Sequence, residues 1–103
     1  MIHANVTIKN AGSLSQEDHD HFLTCCHQAM DQLSAQAPSD SLNKLTVDYK
    51  ENAYQVLVEI ISKELNLAIT ASAQSPFMAL ERAQYEALER VLKWTITRKI
   101  EVA

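Results

Sequence analysis

NKLTVDYKENAYQVLVEIISKELNLAITASA, residues 43–73, carries the reading of the fold. In its first third Leu45, Val47 and Tyr49 alternate with Lys44, Thr46, Asp48 and Lys50. In its second, Tyr54, Val56, Val58 and Ile60 alternate with Gln55, Leu57, Glu59 and Ile61. In its last, Leu67, Ile69, Ala71 and Ala73 alternate with Asn66, Ala68, Thr70 and Ser72. A period of two with one apolar side marks strands that bury one face. Strands are therefore predicted over 43–51, 54–62 and 65–73. Glu51-Asn52-Ala53 and Ser62-Lys63-Glu64 are the turns between them, and turns so short imply antiparallel hairpins.

Upstream, residues 2–9 alternate in the same way, with Ile2, Ala4, Val6 and Ile8 on one side. Ala11-Gly12-Ser13 breaks this strand. Ser15 is a good N-cap, with Asp18 in the capping-box place, and Glu17, Asp18 and Asp20 sit where the helix dipole favours negative charge. A helix is predicted over 16–36, with Phe22, Cys26, Ala29, Met30 and Leu33 on one stripe. Ala37-Pro38-Ser39-Asp40 ends it. Downstream, Ser75-Pro76 opens a second helix in which Leu80, Ala83, Ala87, Val91 and Trp94 recur at helical spacing. Glu86 with Arg90 and Glu89 with Lys93 form i,i+4 pairs in the favourable order. This helix is expected to fade around residue 98, leaving Lys99 to Ala103 as a tail.

The order β-α-β-β-β-α is that of an α+β fold: a four-stranded mixed sheet with two helices packed on one face. The first helix is long enough to carry a right-handed crossover between parallel strands. The other face of the sheet would carry Thr7, Lys44, Thr46, Lys50, Gln55, Glu59 and Thr70. It would also expose Leu57, Ile61 and Ala68, more apolar surface than a solvated face needs. Leu57 and Ile61 are thus a candidate interaction face, for a homodimer or another protein partner.

The chain has 103 residues, expected to form a single domain over 1–103, and carries one glycine and two prolines. No apolar run approaches the ~20 residues that span a bilayer. The N-terminus alternates instead of forming a signal-peptide core. The two adjacent cysteines suit a reducing compartment, so a cytoplasmic protein with no membrane partner is expected. The net charge is −4. Ala11 to Asn43 contains no Lys or Arg but holds Glu17, Asp18, Asp20, Asp31 and Asp40. Arg90, Lys93, Arg98 and Lys99 make the other end mildly basic, without the strong stripe of a typical nucleic-acid binder.

HDHFLTCCH, residues 19–27, contains residue types that bind zinc. On a helix, Cys26 falls on the apolar stripe, as a small buried hydrophobe. His21 and Cys25, four apart, could reach one ion, but His27 lies elsewhere and only His3 remains outside the cluster. Structural zinc wants four ligands, so neither metal nor cofactor is expected. A Cys25/His21 nucleophile pair would need a third orienting group. No phosphate-cradling glycine loop or G-x-S-x-G elbow occurs. An enzyme is not expected.

LNLAITASAQSPFMALERAQYEALERVLKW, residues 65–94, resembles the end of the small ribosome-hibernation factors, a family that includes the short hibernation-promoting factor and the ribosome-associated inhibitor. The strand Ile69-Thr70-Ala71-Ser72-Ala73 runs into an Ala-rich corner, followed by Ala79-Leu80, Ala83, Ala87 and Val91. The element order and length match the family too. The resemblance implies a protein that binds the small ribosomal subunit, ribosomal RNA and proteins together, near the decoding region. It would inhibit translation under stress by occupancy. It also implies RNA binding through Lys and Arg on the helices, and the matching positions are Arg82, Arg90, Lys93, Arg98 and Lys99. The alternative is a divergent member of the same fold, serving as a protein-interaction or dimerisation module without ribosome binding.

Overall fold

The computed structural model describes the backbone of residues 3–102 and the side chains of residues 4–97. Its elements are β1 (His3–Ile8), α1 (Gln16–Gln36), β2 (Leu42–Lys50), β3 (Ala53–Ile61), β4 (Asn66–Ala73) and α2 (Pro76–Val102). The sheet order is β1-β2-β3-β4. β1 runs parallel to β2, with Val6 opposite Leu45, and the β2–β3 and β3–β4 pairs are antiparallel. α1 lies against β1 and β2, α2 against β3 and β4, and the helices touch each other. The expected α+β architecture is the observed one. Ile2, placed on the inward side of the first strand, lies outside the described residues.

α1 has the predicted bounds because both its signals operate. The Ser15 side chain accepts from the Asp18 amide at 3.2 Å, and the chain turns extended at Ala37, just before Pro38. Phe22, Cys26, Ala29, Met30 and Leu33 are all buried against the sheet. Burial of each large side chain contributes about 1.5–3 kcal/mol. They meet Leu45 and Val47 of β2 and Val56 and Val58 of β3 in one core. At one end of that core Asn43 is buried and its Nδ2 donates to Ser34 Oγ at 3.1 Å, tying β2 to α1.

α2 seats itself through small residues. Ala79, Ala83 and Ala87 recur every four positions, are fully buried, and stand over a part of the sheet that includes Ala71 and Ala73. Small side chains on both layers let the helix axis come close to the strands.

Several predicted strand ends shift by one residue, and the end of α2 shifts by more. The β2–β3 loop is two residues, Glu51 at φ 54° and Asn52 at φ 62°, so Glu51 leaves the strand and Ala53 joins β3 opposite Lys50. Positive φ at both central positions is the turn geometry whose twist matches a hairpin. The next turn spans Ser62 to Leu65. Ser62 Oγ accepts from the amides of Glu64 and Leu65, which takes Leu65 out of β4. The expected tail at Lys99 to Ala103 is corrected: α2 is helical through Val102. Thr95, Ile96 and Thr97 are weak helix formers, but each costs only about 0.5 kcal/mol. No glycine or proline follows Pro76 to stop the helix.

Candidate functional site

α2 carries the described basic candidates on one side. At about 100° per residue, Arg82 and Lys93 lie within about 20° of each other and Arg90 about 80° from Arg82. Glu86 and Glu89 fall between or beside them, so the face is mixed in sign. Lys93 Nζ stands 3.9 Å from Glu89 Oε1, a wet pair of small energetic weight. The expected Glu86–Arg90 pair does not close to ion-pair distance. Arg82 does something its sequence position does not indicate: its Nη1 donates to the Ser72 carbonyl of β4 at 3.1 Å. Arg98 and Lys99 have side chains outside the described residues.

α1 presents the opposite charge. Glu17, Asp18, Asp20 and Asp31 are exposed along it. His19 is half-buried, with Nδ1 3.7 Å from Asp20 Oδ1. His21 lays its ring against Phe77, centroids 5.5 Å apart, and His27 is exposed. Cys26 is sealed in the core, where burial first and the adjacent Cys25 second push its thiol up to about 12. A thiol held protonated in this way is neither a nucleophile nor a ready metal ligand. Among the described residues, no three His, Cys, Asp or Glu side chains come together as a metal site.

On the open face of the sheet, Leu57 is half-buried and lies between Thr46 and Thr70, while Ile61 is exposed beside exposed Leu42. The two candidate positions are about 13 Å apart along β3. The row Lys44–Glu59–Ala68 separates them. They form two small apolar spots with charges between, not one patch.

A feature that the strand pattern does not announce is the free edge of β4. Beside it runs an open groove of about 780 Å³. Ala71 and Ser72 form one wall, and Met78 and Tyr85 of α2 stand along the other, 50% and 72% exposed. The remaining groups that line it are Glu81, Glu86, Glu89 and Arg82. The signal available in the sequence is the seven-residue spacing of Met78, Tyr85 and Leu92, which places three large apolar groups on the side of α2 away from the alanine seam.

No family model and no curated protein matches the sequence. Solved structures do match. A ribosomal subunit interface protein from Coxiella burnetii superposes with a TM-score of 0.63 at 7% identity, over 92% of this chain and 99% of that one. The N-terminal domain of Thermus thermophilus Protein Y superposes with a TM-score of 0.65 at 9% identity, over 90% of this chain and 97% of that domain. The likeness runs nearly end to end in both directions. At these identities it shows a shared fold.

Proposed function

We propose that this chain is a cytoplasmic, ribosome-associated protein that binds the small subunit near the decoding region and inhibits translation under stress by occupancy, without catalysis. The observation that carries the reading is the end-to-end fold likeness to a ribosomal subunit interface protein and to the Protein Y domain. The resemblance of residues 65–94 to hibernation factors points the same way.

The contacts in this reading come from α2. Exposed Arg90 and Lys93, with Arg98 and Lys99 beyond them, would meet RNA phosphates. Arg82 has one N–H on Ser72 and keeps its other donors for a phosphate. The acidic face of α1 would repel RNA, so in this reading α1 faces away from RNA or toward a basic ribosomal protein. The binding is then narrow and salt-dependent, since each phosphate that a lysine or arginine neutralises releases counterions, and added salt opposes that release. Changing Arg90, Lys93 and Arg98 to Glu together is expected to abolish co-sedimentation with small subunits and to relieve inhibition of a cell-free translation reaction. Retained binding by the triple variant would rule out the basic end of α2 as the contact.

The exposed Leu42–Ile61 pair favours one other reading, in which the same fold binds a protein or a second copy through the open sheet face. An apparent mass near twice the monomer, lost on Ile61→Asp, would support it. A strict monomer at high concentration would count against it.

A further inference from the structure

β4 is an eight-residue edge strand, NLAITASA, paired to β3 without interruption from Asn66 to Ala73. It carries no charge, no proline and no bulge, the devices by which sheet edges are kept from pairing with another chain. Its outward groups can be assigned. Lys50 and Ala53 close the two-residue hairpin, so Ala53 points its N–H and C=O to β2, and alternate residues of β3 point to β4. Ala68, Thr70 and Ser72 then turn their backbone groups away from the sheet. The Arg82 guanidinium on the Ser72 carbonyl agrees, and it occupies the place that a backbone N–H from a further strand would take.

We infer that the β4 edge and the groove beside it take a basic, extended peptide segment as a fifth strand, whose α2-facing side chains are apolar and basic in turn, the apolar ones resting on Met78 and Tyr85. The occupant follows from charge. Glu81, Glu86 and Glu89 line the groove against one cation, and that cation is already engaged with Ser72. Lysines or arginines on the incoming strand meet these carboxylates, while its backbone completes the ladder. A second copy of this chain is disfavoured by the same groups, since pairing β4 with β4 would bring two acidic grooves together. The inference goes beyond the ribosome reading and does not rest on it.

The test uses the isolated, ¹⁵N-labelled full chain and a blocked peptide repeating Thr-Lys-Thr-Val, which puts lysine and valine in turn on one face. The expected result is saturable shifts at the Ala68, Thr70 and Ser72 amides, with slowed exchange at those three. Affinity should fall about tenfold when Glu86 and Glu89 are both changed to Gln, as expected for the removal of two surface pairs. Thr70→Pro removes an outward N–H and leaves the ladder to β3 intact, so it should keep the fold and lose the peptide. A peptide N-methylated at alternate amides gives the same control without altering the protein. Absence of shifts at β4, equal binding by the same peptide with glutamate in place of lysine, or full binding by the N-methylated peptide would each overturn the inference. Doubling of mass with β4 shifts in peptide-free protein would overturn it in favour of self-association.

Discussion

Gly12→Ala tests how the β1–α1 connection is held. Gly12 sits at φ 63°. That region costs a residue with a Cβ about 1 kcal/mol. The added Cβ would lie 2.6 Å from Tyr54 Oη and 3.0 Å from the Tyr49 ring. The two rings brace each other, 4.7 Å between centroids, and Tyr54 is buried. The hydroxyl must therefore leave the Ala11 carbonyl, to which it donates at 3.1 Å. That bond is worth about 1 kcal/mol. Gly12→Ala should cost about 2–3 kcal/mol in all. Tyr54→Phe alone should cost about 1 kcal/mol. In the double variant the clash with Tyr54 Oη and the bond are already gone, so the total should stay near 2 kcal/mol, a coupling of about 1–2 kcal/mol. Urea unfolding of the four proteins by far-ultraviolet circular dichroism, at constant m, measures this directly. Additive penalties, or a Gly12→Ala protein as stable as the parent, would refute the reasoning.

Other perturbations reach other parts of the fold. Ala83→Leu forces bulk into the fully buried α2–sheet seam and should lower stability by about 1–3 kcal/mol; an unchanged thermal midpoint would mean that α2 is not seated there. Glu51→Asn relieves a positive φ at a position that suits asparagine and should raise the urea midpoint by about 0.5–1 kcal/mol in stability, whereas a lower midpoint would contradict the assigned turn. Cys26 stays protonated in the fold up to about 12, while the unfolded thiol ionises near the usual range. The unfolded state thus loses a proton first, and stability should fall as pH rises above about 8.5, by up to ~1.4 kcal/mol per pH unit. Cys26→Ala should show a shallower decline over the same range, and equal slopes would remove Cys26 as the cause.

The strands of 43–73 were legible because each buries one face and the alternation survives in the letters. α1 was legible to the residue because Ser15 and Pro38 are unambiguous signals. Glu51-Asn52 was legible as a turn, but Ala53, assigned to it, belongs to β3, because alanine carries no signal that separates the end of a turn from the start of a strand. The end of α2 was misread because Thr95-Ile96-Thr97 lowers propensity without providing a stop. The surface was harder still. Lys93 and Arg90 could be named as exposed cations, but the Arg82–Ser72 hydrogen bond depends on how α2 folds back along β4. Glu59 between Leu57 and Ile61 is visible in the alternation, but that Lys44 stands beside it depends on the β2–β3 register. The openness of β4 depends on strand order, which puts β4 at an edge and β3 inside.

Sedimentation of the protein with purified small ribosomal subunits, at low and at high salt, tests the central claim most directly. The account predicts migration with the subunit at low salt and release at high salt, with log K falling against log salt at a slope of about −3.5 for five phosphate contacts. Protein left at the top of the gradient at both salts would contradict it.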